Sequence, residues 1–217
     1  SNVLTVLLII VIVALIGLIG FLGYDTYRKY YIDKEAEDFM SKYEEQLGNV
    51  VLEEEKNNIT LPENTVNNES TTIIDPGNQT ITNTTNNNGS SGSNNTTYKG
   101  YNVLGTIEIP KTGIKYPILD KVTIKSLEIS VAYYYGPGLN EVGNTVIVGH
   151  NYRNGAFFGK NKNLKVGDII YITDNSGKKV KYKIYNVYTT TETDSAYITR
   201  DTNGAREISL STCTDDS

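Results

Sequence analysis

Tryptophan is absent from these 217 residues, and cysteine, histidine and methionine occur once each. One cysteine leaves no intrachain disulfide and no multi-cysteine zinc site within this sequence. It does not fix the redox compartment, because a chain without disulfides can fold on either side of a membrane. An excess of positive charge is also missing: the net charge is -5 and the pI about 5.0. With no basic run and no basic–aromatic patch, nothing supports a nucleic-acid partner. The apolar share of 38% is gathered largely into one block at the start, so the remainder is polar. Aromatic character is carried by 17 tyrosines, a bias that suits strands and wet surfaces.

What is present first is a hydrophobic run. Residues 3–23 contain about twenty apolar positions without a charge, which as a helix would span about 30 Å, the thickness of a bilayer core. A secretory signal has a shorter core and a small-residue cleavage site. Residues 1–24 therefore read as an uncleaved transmembrane anchor, with cleavage after the glycine-rich end as the alternative. Tyr24 and Tyr27 follow, as in an interfacial belt. Arg28 and Lys29 would draw their side toward the cytoplasm, but the first residue is Ser1 rather than Met. Residues are expected to precede it, so the visible charges leave the orientation open.

Residues 25–48 are charged and helix-prone. Ile32, Ala36, Phe39, Met40, Tyr43 and Leu47 recur at three- and four-residue intervals, the mark of an amphipathic helix. It either packs on the following domain or on another copy, or stands as a solvated stalk. Residues 49–98 turn to Asn, Thr, Ser and Gly, with little apolar surface to offset the cost of ordering. They read as a disordered linker with a reach of about 35 Å.

From residue 99 the pattern becomes β. The alternating Val103-Leu104-Gly105-Thr106-Ile107-Glu108-Ile109 is broken by Pro110, and Ile114-Lys115-Tyr116-Pro117-Ile118-Leu119 reads as a short edge strand. Residues 126–135 fit a helical turn or a strand. Thr145-Val146-Ile147-Val148-Gly149-His150 is a buried type of strand closing on the only histidine. Residues 168–173 and 179–188 make a hairpin through Asp174-Asn175-Ser176-Gly177. Residues 189–206 are polar and hold a loop or short helix. The last strand, Glu207-Ile208-Ser209-Leu210-Ser211-Thr212-Cys213, ends on the only cysteine. Alternation puts Ile208, Leu210 and Thr212 on one face and Ser209, Ser211 and Cys213 on the more polar one. Short strands with little helix point to a single β-barrel or sandwich.

A thiol becomes a good nucleophile beside a base that favours its thiolate, and His150 is the one imidazole available. Taken singly, a lone cysteine is more often a small buried hydrophobe and a lone histidine more often structural. The two acquire a joint meaning from their surroundings. Ser209-Leu210-Ser211-Thr212-Cys213 resembles the Thr-Leu-x-Thr-Cys motif of the sortases, cysteine transpeptidases of Gram-positive cell surfaces. Gly149-His150-Asn151, about sixty residues upstream, is similar to the surroundings of their histidine. Gly105-Thr106-Ile107-Glu108-Ile109-Pro110 followed by Ile114-Lys115-Tyr116-Pro117-Ile118 looks like the opening of the sortase barrel. The likeness covers residues 101–213, and an anchor followed by a linker also suits the family.

The resemblance implies a mainly β fold: a closed sortase-like barrel with short helices over residues 99–217, preceded by the transmembrane helix and linker. It implies Cys213 as nucleophile and His150 as general acid–base, with Thr212 as a candidate for oxyanion or substrate positioning. The substrate would be the sorting-signal peptide of a surface protein, of the Leu-Pro-x-Thr-Gly kind. The acceptor would be an amine of a cell-wall precursor or a pilin lysine. The protein would cross the cell membrane once, with its catalytic domain extracellular, and need no cofactor and no metal. Subclass signs conflict: Leu210-Ser211-Thr212-Cys213 looks like class B, whereas Tyr135-Gly136-Pro137-Gly138 looks like classes A or D. Sortases also use an arginine on the strand after the cysteine. Arg206 lies about 23 Å from Cys213 along its own strand, too far to serve, and Arg153 and Arg200 fall in loops. The expectation is a C-terminally truncated, inactive sortase without that arginine. A non-catalytic membrane-tethered β-domain that binds surface polymers or proteins, and a hydrolytic cysteine peptidase, stand as rival readings.

Overall fold

A computed structural model describes residues 2–57 and 96–214. Most of the linker assigned above, residues 58–95, lies outside the described residues. Helix α1 (Asn2–Asn57) is continuous from the apolar run through the charged segment. It is followed by β1 (Thr97–Tyr98), β2 (Tyr101–Ile109), β3 (Ile114–Leu119), α2 (Ile124–Leu127), β4 (Val131–Tyr135), β5 (Gly143–Val148), β6 (Ile169–Asp174), β7 (Lys179–Lys183), α3 (Ala196–Thr199) and β8 (Arg206–Ser211). Helix α1 and strand β1 thus extend into both ends of the stretch read as linker.

The strands form one nearly closed barrel sheet in the order β7-β6-β2-β3-β4-β5-β8, with β1 added to β2. Ile107, Ile109, Ile118, Ile147, Ile172, Phe157 and Phe158 fill it and are fully buried. Strand β2 lies between β3 and β6 and kinks at a bulge between Val103 and Gly105. Glycine is needed there, because a Cβ on Gly105 would lie 2.2 Å from the Thr173 carbonyl oxygen. The β6–β7 hairpin forms, from Ile169 opposite Lys183 to Thr173 opposite Lys179, but its second strand ends at Lys183, and residues 184–188, read as part of it, are not in a strand. Residues 126–135 supply both of the forms open to them, the end of α2 and then β4.

Another expectation fails. Strand β3 is internal, antiparallel to β2 and parallel to β4, not an edge. Pro117 is tolerated because β4 pairs only with Ile118 and Leu119, so the missing N–H falls where no β4 partner is due. Its carbonyl is satisfied by the Ser130 hydroxyl at 2.6 Å.

Helix α1 packs on the barrel. Ala36, Met40, Tyr43 and Leu47, spaced by four, three and four, are buried. Ala36 joins the main core, and Tyr43 and Leu47 pack with Tyr98, Val103, Leu119 and Ala132. Polar contacts border this seam: the Tyr116 hydroxyl donates to Asp33, Lys99 pairs with Glu35, and Lys115 meets Glu44 at 2.9 Å. Burial, followed by the Asp33 hydrogen bond, raises the Tyr116 pKa; burial pushes Tyr98 up to about 12. The other end of α1 is exposed, long enough and apolar enough to cross a bilayer.

Candidate active site

Strands β5 and β8 run parallel in an unbroken register from Gly143 opposite Arg206 to Val148 opposite Ser211. The ladder continues past both strands: the Gly149 N–H donates to Ser211 O at 3.2 Å, and the Thr212 hydroxyl donates to Gly149 O at 2.7 Å, 63 positions away. At that offset position 150 falls opposite position 213. Asn151 then closes the junction, its Nδ2 donating to the Cys213 carbonyl at 3.0 Å. The only histidine and the only cysteine are therefore brought to neighbouring strand ends. Cys213 is exposed and free, and His150 is half-buried.

The loop after His150 is held from both sides. Phe158 N–H donates to His150 O at 3.0 Å, and Asn151 bridges to Phe157, whose ring is fully buried. The Tyr152 ring stands 5.1 Å from the His150 ring and 5.6 Å from Phe157. Above Tyr152, 4.9 Å from its centroid, sits the Arg28 guanidinium of α1. Sequence reasoning had no signal for this contact, which joins positions more than a hundred residues apart.

The two faces of β8 behave as alternation requires. Ile208 and Leu210 pack on the core, while Ser209 donates to Asn144 Oδ1 at 2.9 Å and Ser211 meets the Tyr197 hydroxyl at 3.2 Å. Thr212 commits its hydroxyl proton to Gly149, so in this arrangement it ties the two strand ends together.

Among the described contacts none joins an arginine to Cys213, and Arg28 reaches the site only through Tyr152. Arg200 pairs with Glu207 and lies 5.4 Å over the Tyr185 ring. Glu207 is six residues before Cys213, about 20 Å along the strand. Arg206 opens β8 at the far end from the thiol. Arg153 lies 5.6 Å over the Phe21 ring of α1. A solvent-open cleft of about 540 Å³, lined by Tyr133 to Pro137, Asn144 and Ile198 to Arg200, sits by the start of β5 and includes neither Cys213 nor His150. Among the described residues no group of three or more His, Cys, Asp or Glu is gathered as a metal would require.

Fold and junction together define a class: small β-barrel proteins with an exposed thiol and an imidazole at the ends of adjacent parallel strands, behind a long apolar N-terminal helix. Residues 107–217 match the model of the Sortase domain, and the chain belongs to the sortase family. It is 33% identical over 112 residues to Sortase A of Bacillus anthracis, a match covering 51% of this chain and 52% of that protein. Among solved structures it is similar to Sortase A from Corynebacterium diphtheriae, with 27% identity, TM-score 0.48, and 54% of this chain and 55% of that one covered. A Clostridium perfringens Sortase D5 transpeptidase has 26% identity, TM-score 0.47, and 52% and 71% coverage. The chain spans about half the length of the curated relative it matches.

Proposed function

We propose that this sortase is a membrane-anchored cysteine transpeptidase in which Cys213 is the nucleophile and His150 the general acid–base. The observation that carries the reading is the constant register of β5 and β8, with position 150 opposite position 213 and Asn151 bonded to the Cys213 carbonyl. The exposure of Cys213 also favours it, since a thiol kept only for packing would be buried.

In the first half-reaction the Cys213 sulfur attacks a backbone carbonyl of a sorting-signal peptide of the Leu-Pro-x-Thr-Gly kind. A carbon–sulfur bond forms, and the carbon–nitrogen bond breaks as His150 protonates the departing amine. In the second, an amine of a cell-wall precursor or pilin attacks the thioester and gives its proton to His150, and the thiolate leaves. Thr212 keeps the two strand ends in line through Gly149. The oxyanion would need donors beyond those described, backbone N–H groups past the strand bend and an arginine. Among the described residues no arginine is held at the thiol. Residues 3–23 would cross the cell membrane once, with the barrel on the outer side.

The test is a single-turnover one. After incubation with such a peptide, intact mass should show an acyl adduct on the chain that is absent in Cys213→Ala and forms more slowly in His150→Ala. Added amine should then give ligated peptide. Release of hydrolysed product only, despite the amine, would favour a peptidase. Equal acylation of Cys213→Ala would refute the assignment.

A further inference from the structure

We infer that Arg153, on the loop following His150, binds the phosphate of an anionic membrane lipid and so holds that loop against the bilayer surface. This rests on the reading of residues 3–23 as a membrane span.

Three successive loop residues touch one face of α1. The Tyr152 ring lies under Arg28, Arg153 lies over the Phe21 ring, and Asn154 Nδ2 donates to both the carbonyl and the carboxylate of Asp25 at 3.3 Å. Positions 21, 25 and 28 recur at the helical period, so all three contacts fall on one face of the helix. The apolar run ends at Gly23, which puts Phe21 about 3 Å inside its boundary at 1.5 Å per residue. A guanidinium over Phe21 is thus at the depth where acyl chains give way to phosphates. The exposed rings of Tyr24 and Tyr27, about 5 and 9 Å further along the helix, sit on the outer side of this boundary.

Arg153 suits that layer. It is exposed, and among the described ion pairs neither it nor Arg28 takes part, whereas Lys29 is held by Asp33. Its planar fork of donors is matched to a phosphate, and its stem can lie on apolar surface while the charge stays in the headgroups. A protein partner would have to enter the bilayer boundary to reach the same guanidinium; a lipid is already there. Because Tyr152 joins this loop to the His150 ring, the lipid contact would orient the thiol–imidazole junction toward substrates presented at the membrane surface.

The full 217-residue chain, reconstituted in nanodiscs, can be photolabelled with a phosphatidylglycerol carrying a diazirine in its headgroup. Mapping by mass spectrometry should find adducts on the peptide containing Tyr152 and Arg153 and on the Tyr24–Tyr31 stretch. Arg153→Gln should lower the first about fivefold, the effect of one basic residue at an anionic surface, and leave the second unchanged. A similar fall is expected when the same probe is diluted into phosphatidylcholine rather than phosphatidylglycerol discs. Absence of label from both sites would refute the membrane span itself. Label on Tyr24–Tyr31 but none on the loop, or loop labelling indifferent to Arg153→Gln, would overturn the lipid contact while leaving the span intact.

Discussion

The alignment of His150 with Cys213 depends on a glycine that has no room for a side chain, and Gly149→Ala tests this directly. A Cβ there would lie 2.8 Å from Val131 Cγ1 and 2.9 Å from Phe158 Cδ2. Real Cβ atoms do not approach so closely, and neither neighbour can yield, since Val131 and Phe158 are fully buried in the barrel. The backbone at 149 must move instead. It is pinned at both polar atoms, its N–H to Ser211 and its carbonyl to the Thr212 hydroxyl. Inserting one methyl into a packed core costs about 1–3 kcal/mol, and one strained or broken hydrogen bond adds about 1 kcal/mol. A total of about 2–4 kcal/mol should lower the melting temperature by roughly 4 °C for each kcal/mol in a domain of this size. Val131→Ala removes the nearer clashing atom. In a double-mutant cycle, Gly149→Ala with Val131→Ala should therefore be less destabilising than the sum of the two by about 1 kcal/mol or more. On the proposed mechanism Gly149→Ala should also slow acylation of Cys213 on the order of a hundredfold, because a shift near 1 Å between reacting groups costs about that much. Strictly additive melting data, or a Gly149→Ala chain that melts like the parent, would refute the steric account of how the site is aligned.

Other consequences can be checked with the same tools. Asn140 is buried, with its Nδ2 on Ile172 O, Asp174 Oδ2 and Lys178 O and its Oδ1 accepting from the Tyr182 hydroxyl. Asn140→Ala should cost about 3 kcal/mol or more in chemical denaturation, several buried partners being orphaned at once. The Tyr43 hydroxyl is buried without a hydrogen-bond partner, so Tyr43→Phe should leave the melting temperature unchanged or raise it, by up to about 2 kcal/mol in stability. The pKa of Tyr98 is raised by burial to about 12, and Tyr116 is raised as well, so the folded state favours the protonated phenols. The stability they confer is fully present below the ordinary tyrosine value of about 10 and is lost as pH rises from there through about 12. Hydrogen exchange of residues 32–47 should accelerate across that window, and Tyr98→Phe should blunt the response.

What the sequence by itself determined is local. The charge-free run of residues 3–23, the period-two alternation in β2, β7 and β8, and the turn residues around Pro110 and Gly177 are properties of neighbouring positions, and short-range sterics and face-by-face burial carry them into structure. The candidate pair could also be picked out, because Cys213 and His150 are each the sole example of their kind. Tertiary structure decided everything that needed two distant segments at once. It set the parallel register that puts position 150 opposite position 213, the internal place of β3 despite Pro117, and the docking of α1 that brings Arg28 over Tyr152 and Arg153 over Phe21. A strand's pattern records which face is buried but not which partner it meets or at what offset. That choice is made by the packing of the whole barrel, where a slip of one residue would turn every buried side chain outward.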